Sequence, residues 1–102
     1  MTGVQEEHYL KIYDCVMYDK DLNSDEKILL SQIIALSLND HATCFATNEY
    51  LISVNNNCTE RVIQKRLKKL KDLGWISITF RGSRREINLI KNSESLILRK
   101  IK

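Results

Sequence analysis

The chain has 102 residues, of which 43% are hydrophobic and 28% charged, and its formal net charge is +3. This composition is ordinary for one soluble globular domain and excludes collagen-like and low-complexity classes. No apolar run approaches the roughly 20 residues of a membrane-spanning helix, and the start "MTGVQEEHYL" lacks the features of a signal peptide. Cys15, Cys44 and Cys58 are odd in number and show no disulfide-framework spacing, so we expect reduced thiols and a cytoplasmic protein.

The charge is distributed unevenly along the chain. Residues 1–54 hold three basic and nine acidic side chains, a net charge of −6. Residues 55–102 hold thirteen basic and four acidic side chains, a net charge of +9. A one-sided positive field of this kind favours a polyanionic partner, although it does not bear on the fold.

The first elements are predicted to form a scaffold. Residues 8–19 are expected to be extended in their first half and to form a helical turn in their second. A buried helix is predicted over about 24–38, because Asn23 and Glu26 match a capping box. Its apolar residues recur at helical spacing, namely Leu29, Leu30, Ile33, Ile34, Leu36 and Leu38.

A short strand over 43–46 and a short helix within 47–55 are predicted next. Thr47 and Asn48 are suitable capping residues for that helix. The run Asn55–Asn57 then predicts a turn, because asparagine tolerates the left-handed backbone conformation better than most residues.

The following helix, over 59–73, is strongly basic. Thr59 is predicted to cap it and Gly74 to end it. Ile63, Leu67 and Leu70 recur at helical spacing and are expected to be buried.

After Gly74 the apolar period changes to two. The segments 75–80 and 85–90 are therefore predicted to be strands joined by a tight turn at Gly82. Phe80 is expected to share one face with Ile76 and Ile78, and residues 91–102 to form a tail or short helix.

The predicted fold is α+β, mainly α: a winged helix-turn-helix with a three-helix core and a two-stranded β-ribbon wing. We expect one domain over 1–102, with its core at about 9–90.

The segments "CFATNEYLISV" and "CTERVIQKRLKKLKDLGWI" resemble the winged helix-turn-helix domain at the start of replication initiators from plasmids and phages of Gram-positive bacteria. The resemblance covers about residues 9–90. Counting back from Ile63 places the family's helix-capping serine at Thr59, whereas counting forward from Phe45 places it at Cys58. The two counts differ by one, which predicts one extra residue in the turn. Most such initiators continue into a further domain, so the chain is either a fragment or a stand-alone protein.

The resemblance implies binding of double-stranded DNA at repeated origin sites of a mobile element, and a homodimer. We expect dimer contacts from the N-terminal segment or from apolar residues of the tail, namely Leu96, Ile97, Leu98 and Ile101. Two alternatives remain open at this point. One is a transcriptional regulator on the same fold, and the other is a protein-docking winged helix that binds a replication protein such as a helicase loader.

The predicted DNA contacts fall into two groups. Arg61, Gln64 and Lys65 lie opposite the buried stripe in the first two helical turns, where side chains meet base edges in the major groove. The second group is expected to contact phosphates from the turn, the later helix and the wing, and comprises Asn57, Thr59, Lys68, Lys69, Arg81, Arg84 and Arg85.

The sequence suggests neither a catalytic activity nor a bound cofactor. His41, Cys44 and Cys58 lack a fourth ligand and a knuckle spacing, so no metal site is predicted. No nucleophile–base pair, phosphate-binding glycine loop or paired carboxylates stand out, and we expect no catalytic residues. Trp75 is expected to pack in the core between helix and wing.

Overall fold

The computed structural model describes residues 10–37 and 43–90. Their helices and strands are, in chain order, α1 (Asp14–Met17), α2 (Ser24–Leu36), β1 (Thr43–Cys44), α3 (Asn48–Ser53), α4 (Glu60–Asp72), β2 (Ile76–Arg81) and β3 (Arg84–Leu89). The predicted dimer segments and the tail lie outside the described residues. Within the described residues, no helix has the length and apolar character needed to cross a membrane.

The start of α2 is a capping box, as the sequence predicts. The backbone N–H of Glu26 donates to Asn23 Oδ1 at 2.9 Å, and the backbone N–H of Asn23 donates to Glu26 Oε1 at 2.9 Å. Both N–H groups would lack a helical partner without these side chains, so the box fixes where α2 begins.

One hydrophobic core lies between the helices and the inner face of the sheet. Helix α4 contributes Ile63, Leu67 and Leu70, which confirms the predicted buried stripe. Each of the other helices and strands also contributes a fully buried side chain, and the largest of these are Val16, Leu29, Leu30, Ile33, Ile34, Cys44, Leu51, Ile76 and Ile87.

The turn between α3 and α4 uses two consecutive left-handed residues, Asn56 with φ 61° and Asn57 with φ 52°. The asparagine run therefore makes the turn that it predicts. Asn55 precedes them and donates through Nδ2 to Gln32 Oε1 at 2.8 Å and to the Leu51 carbonyl at 2.6 Å. A polar contact thus ties the turn to α2.

Helix α4 ends at a left-handed glycine, Gly74, with φ 86°. The N–H of Gly74 donates to the Lys71 carbonyl and that of Trp75 to the Leu70 carbonyl, both at 3.0 Å, which is the Schellman pattern. Trp75 is half-buried against the core, as expected, and its Nε1–H donates to Asp19 Oδ2 at 3.2 Å.

The sheet has three antiparallel strands in the order β1-β3-β2. The hairpin of β2 and β3, called the wing below, turns at Gly82 and Ser83, where Gly82 has φ 64°. The pairing Ile78↔Ile87 places both residues on the inner face. Phe80 lies on the same face as Ile76 and Ile78, as predicted, but its side chain is 69% exposed and does not reach the core. The wing extends past the core at this point.

Candidate nucleic-acid interface

The outer face of α4 presents Arg61, Gln64 and Lys65 to solvent in the first two turns of the helix. The structure brings these three together opposite the buried stripe, as the sequence predicts. Among the described residues, no carboxylate lies within 4.0 Å of a charged nitrogen of Arg61 or Lys65. The face is therefore positive and has no internal acidic partner, while its role in base contacts stays a prediction.

The turn before α4 offers fewer free groups than the sequence suggests. The N–H of Asn57 already donates to the Ile52 carbonyl at 3.0 Å. Thr59 Oγ1 accepts from the Val62 N–H at 3.3 Å, which makes Thr59 the helix cap. Its hydroxyl hydrogen can still donate to a phosphate oxygen. Glu60 at the start of α4 accepts from Asn48 Nδ2 at 3.2 Å.

Lys68 and Lys69 are adjacent in sequence but face different surroundings. Lys68 is 74% exposed and pairs with Asp72 at 2.9 Å. An exposed pair of this spacing contributes about 0.3–0.5 kcal/mol, so a phosphate can replace it. Lys69 instead reaches α2 and pairs with the buried carboxylate of Glu26 at 3.0 Å. The charge of Lys69 is thus already paired with α2, which weakens its candidacy as a phosphate contact.

The three wing arginines do not all lie on the same face of the sheet. Arg81 Nε donates to Glu86 Oε1 at 3.1 Å, and Arg84 Nη2 donates to Glu86 Oε2 at 3.3 Å, both on the outer face of the sheet. Arg85 lies on the inner face, because successive residues of a strand alternate in direction. Two arginines therefore remain together near the wing tip, and the third is elsewhere.

Arg85 links the wing to both helices of the helix-turn-helix. Its guanidinium donates to Asn48 Oδ1 at 2.5 Å and to the Ala46 carbonyl at 2.8 Å. Asn48 in turn contacts Glu60, so the network reaches the start of α4. Burial lowers the pKa of Arg85 below its ordinary value, although a guanidinium stays charged at neutral pH. This network was not predicted from the sequence. The available signal was the period-two pattern of β3, which places Arg85 on the same face as the buried Ile87.

A groove lies between α4, the wing and the segment before α3. We call it the wing groove, and it has a volume of about 700 Å³. Its lining comprises Phe45, Ala46, Thr47, Asn48, Gln64, Leu67, Lys68, Lys71, Ile78, Phe80, Ser83, Arg84 and Arg85. Phe45, which is 41% exposed, and Phe80 are the two aromatic residues of this lining. Neither was predicted as a site residue.

Of the three residues considered for a metal site, Cys44 and Cys58 lie in the described part of the chain. Within residues 10–37 and 43–90, no three His, Cys, Asp or Glu side chains are arranged to hold a metal ion, and His41 lies outside these ranges. Cys44 is fully buried, and this burial raises the pKa of its thiol.

The charge of Glu26 is stabilised by its neighbours in the fold. Burial by itself raises the pKa of this carboxyl, but the Asn23 N–H and the Lys69 ammonium outweigh it and lower the pKa below 4.5. A carboxyl whose pKa falls on folding stabilises the fold above its unfolded pKa, and that stabilisation is lost as the pH falls through the folded pKa. Glu26 therefore favours folding at neutral pH and progressively less below about pH 4.5.

Glu26→Gln keeps an oxygen that can accept from the Asn23 N–H but loses the negative charge that pairs with Lys69. We expect it to lower the free energy of unfolding at pH 7 by about 1 kcal/mol, the difference between hydrogen bonds to a charged and to a neutral group. The difference from wild type should shrink as the pH falls below 4.5, because the wild-type carboxyl then becomes neutral as well. Urea unfolding at several pH values measures this. Asp25→Asn is the matched control, since Asp25 is 65% exposed and pairs with Arg66 at 3.3 Å. A Glu26→Gln difference that did not vary with pH would contradict the assignment.

Helices α2, α3 and α4, with a β-hairpin packed beside the last of them, define a winged helix-turn-helix fold. A family model described as "Helix-turn-helix domain" matches residues 20–76. The chain belongs to this helix-turn-helix family.

Solved structures of similar fold extend this comparison. One is described as "N-Terminal domain of DNA binding protein" and is 19% identical with a TM-score of 0.63. Another is described as "Structure of Rep-DNA complex" and is 20% identical with a TM-score of 0.62. Each alignment covers 100% of this chain and 95% of the other. No curated protein matches the sequence.

Proposed function

We propose that this chain binds double-stranded DNA, with α4 in the major groove and the wing beside the adjacent backbone. The observation that carries the proposal is the exposed face of α4, where Arg61, Gln64 and Lys65 stand together on the second helix of a helix-turn-helix. In such motifs the first turns of this helix meet base edges. Arginine can donate two hydrogen bonds to guanine, and glutamine can pair with adenine.

The remaining exposed cations suit the phosphate backbone. Lys68 and Lys71 continue along α4, while Arg81 and Arg84 lie on the outer face of the wing. All four are exposed. The Lys68–Asp72 pair is of the weak, exposed kind that a phosphate replaces, whereas Arg81 and Arg84 share the buried carboxylate of Glu86 and keep exposed N–H donors for a phosphate. Asn57 and Thr59 are proposed as minor backbone contacts at the start of α4.

We place this binding in replication initiation of a plasmid, phage or similar mobile element, in the cytoplasm. The sequence resemblance to replication initiators supports this role, as does the similar fold of the structure described as "Structure of Rep-DNA complex". A homodimer on repeated origin sites is part of the proposal. A transcriptional regulator would use the same interface, and the position of selected sites in an origin or a promoter distinguishes the two.

The test separates base contacts from backbone contacts. Arg61→Ala or Gln64→Ala is expected to weaken a site selected from a random duplex library by about 1–3 kcal/mol, and to leave a scrambled duplex nearly unchanged. Arg84→Ala is the contrasting variant and should weaken both duplexes alike, because phosphates do not vary with sequence. The measurement is a pair of titrations for each variant.

Two outcomes would contradict the proposed orientation or the function itself. Equal weakening of both duplexes by Arg61→Ala would mean that α4 lies along the backbone. If wild-type protein failed to shift random duplex DNA at low salt, the protein-docking alternative, with a replication protein such as a helicase loader as partner, would replace DNA binding.

A further inference from the structure

The wing groove combines an apolar surface with positive charge. Leu67 and Ile78 form part of its wall, and Phe80 stands exposed on the wing side. Lys68, Lys71, Arg84 and Arg85 contribute four cations to the lining, and no Asp or Glu is among the lining residues in the described part of the chain. Its volume of about 700 Å³ falls within the range of about 300–1,000 Å³ typical of ligand clefts.

The two phenylalanines of the groove are not equivalent. The guanidinium of Arg84 lies over the ring of Phe45, 5.0 Å from its centroid, so one face of this ring already has a cation–π partner. The ring of Phe80 has no such contact among the described residues and is 69% exposed. Phe80 therefore offers an open aromatic face beside a positive rim.

The chemistry of this face selects its occupant. A paired duplex presents sugars and phosphates to a side chain beside it, because its base faces are stacked inside. An unpaired base offers a free π-face, and stacking of such bases on aromatic side chains beside basic residues is how proteins hold single strands. Two of the four rim cations are paired with carboxylates outside the lining, Lys68 with Asp72 and Arg84 with Glu86. The cations still outnumber these carboxylates, so the rim favours an anionic strand over an apolar protein segment.

We propose that the wing groove binds single-stranded DNA, with one unpaired base stacked on Phe80 and its neighbouring phosphates held by Lys68 and Lys71. These two lysines are three residues apart and thus lie on one side of α4, one turn apart. The inference deepens the proposed function, on which it rests, by giving the same surface a second form of DNA to bind.

The test uses the full chain and a short oligothymidylate with a fluorescent label. Phe80→Ala is expected to weaken single-strand binding about 5- to 150-fold, the equivalent of about 1–3 kcal/mol for one stacked base. Binding to the selected duplex should change less than about 2-fold. Phe80→Tyr keeps an aromatic ring and should retain single-strand affinity. Because Phe80 is exposed, thermal unfolding should show that both variants fold like wild type.

A second readout follows the base itself. An oligonucleotide containing 2-aminopurine should lose fluorescence when the base stacks, and the loss should be absent with Phe80→Ala. Three results would overturn the inference. The first is that the wild-type protein has no affinity for single-stranded DNA, and the second is that Phe80→Ala weakens single-strand and duplex binding equally. The third is that polyglutamate displaces the labelled strand as effectively, per unit charge, as unlabelled oligothymidylate does. The first leaves the proposed function standing if duplex binding persists, whereas loss of both kinds of binding in wild type removes both.

Discussion

Raising the salt concentration from about 50 to 200 mM is expected to weaken duplex binding roughly 150-fold. Four exposed cations are proposed as phosphate contacts, namely Lys68, Lys71, Arg81 and Arg84. If each neutralises one phosphate, log affinity falls with log salt at a slope of about −3.6, because every phosphate contact releases counterions. The measurement is a duplex titration at several salt concentrations.

Two neighbouring lysines provide the control. Lys71→Ala should flatten the slope by about 0.9, the share of one phosphate contact. Lys69→Ala should leave the slope nearly unchanged, since Lys69 pairs with Glu26 inside the fold. The Lys69 variant is compared at a temperature where it is folded. A wild-type slope near zero would mean that no phosphates are neutralised, and it would favour protein docking.

The second large effect concerns stability. Leu70→Ala is expected to lower the free energy of unfolding by about 2–5 kcal/mol, because Leu70 is fully buried and the shortened side chain leaves a cavity in the core. Since Leu70 lies on the face of α4 opposite Arg61 and Lys65, the loss should appear in the urea midpoint and not as an altered DNA preference in protein that is still folded.

Lys65→Ala is the matched control on the same helix. Lys65 is exposed and has no ion pair among the described residues, so its replacement should change stability by no more than about 0.5 kcal/mol. Equal shifts of the urea midpoint in the two variants would show that the buried and exposed faces of α4 had been assigned wrongly.

The helix ends and turns could be predicted from the sequence because each depends on residues close together in the chain. Asn23 and Glu26 satisfy each other's backbone N–H groups, and Thr59 caps α4 three residues before its hydrogen-bond partner Val62. Gly74 has no side chain, so it adopts the left-handed conformation without the steric clash that a Cβ atom on the same residue would cause. The exposed group of Arg61, Gln64 and Lys65 followed in the same way, from the helical period opposite the buried stripe.

The partners of the charged side chains were decided by the tertiary structure. Lys69 pairs with Glu26 of α2, and Arg85 contacts Ala46 and Asn48, and nothing in the local sequence of α4 or β3 indicates these distant acceptors. A lysine on the edge of a helix face is solvated or paired according to which element packs beside it.

The position of Phe80 depends on the same kind of information. Its period-two spacing with Ile76 and Ile78 determines which face of β2 it occupies, and this part of the prediction holds. Whether that face is covered depends on which distant elements pack against it. Ile76 is fully buried in the core, whereas Phe80, four residues further along β2 towards the wing tip, is 69% exposed. Local periodicity therefore specified the direction of each side chain, while the packing of distant elements specified what it meets.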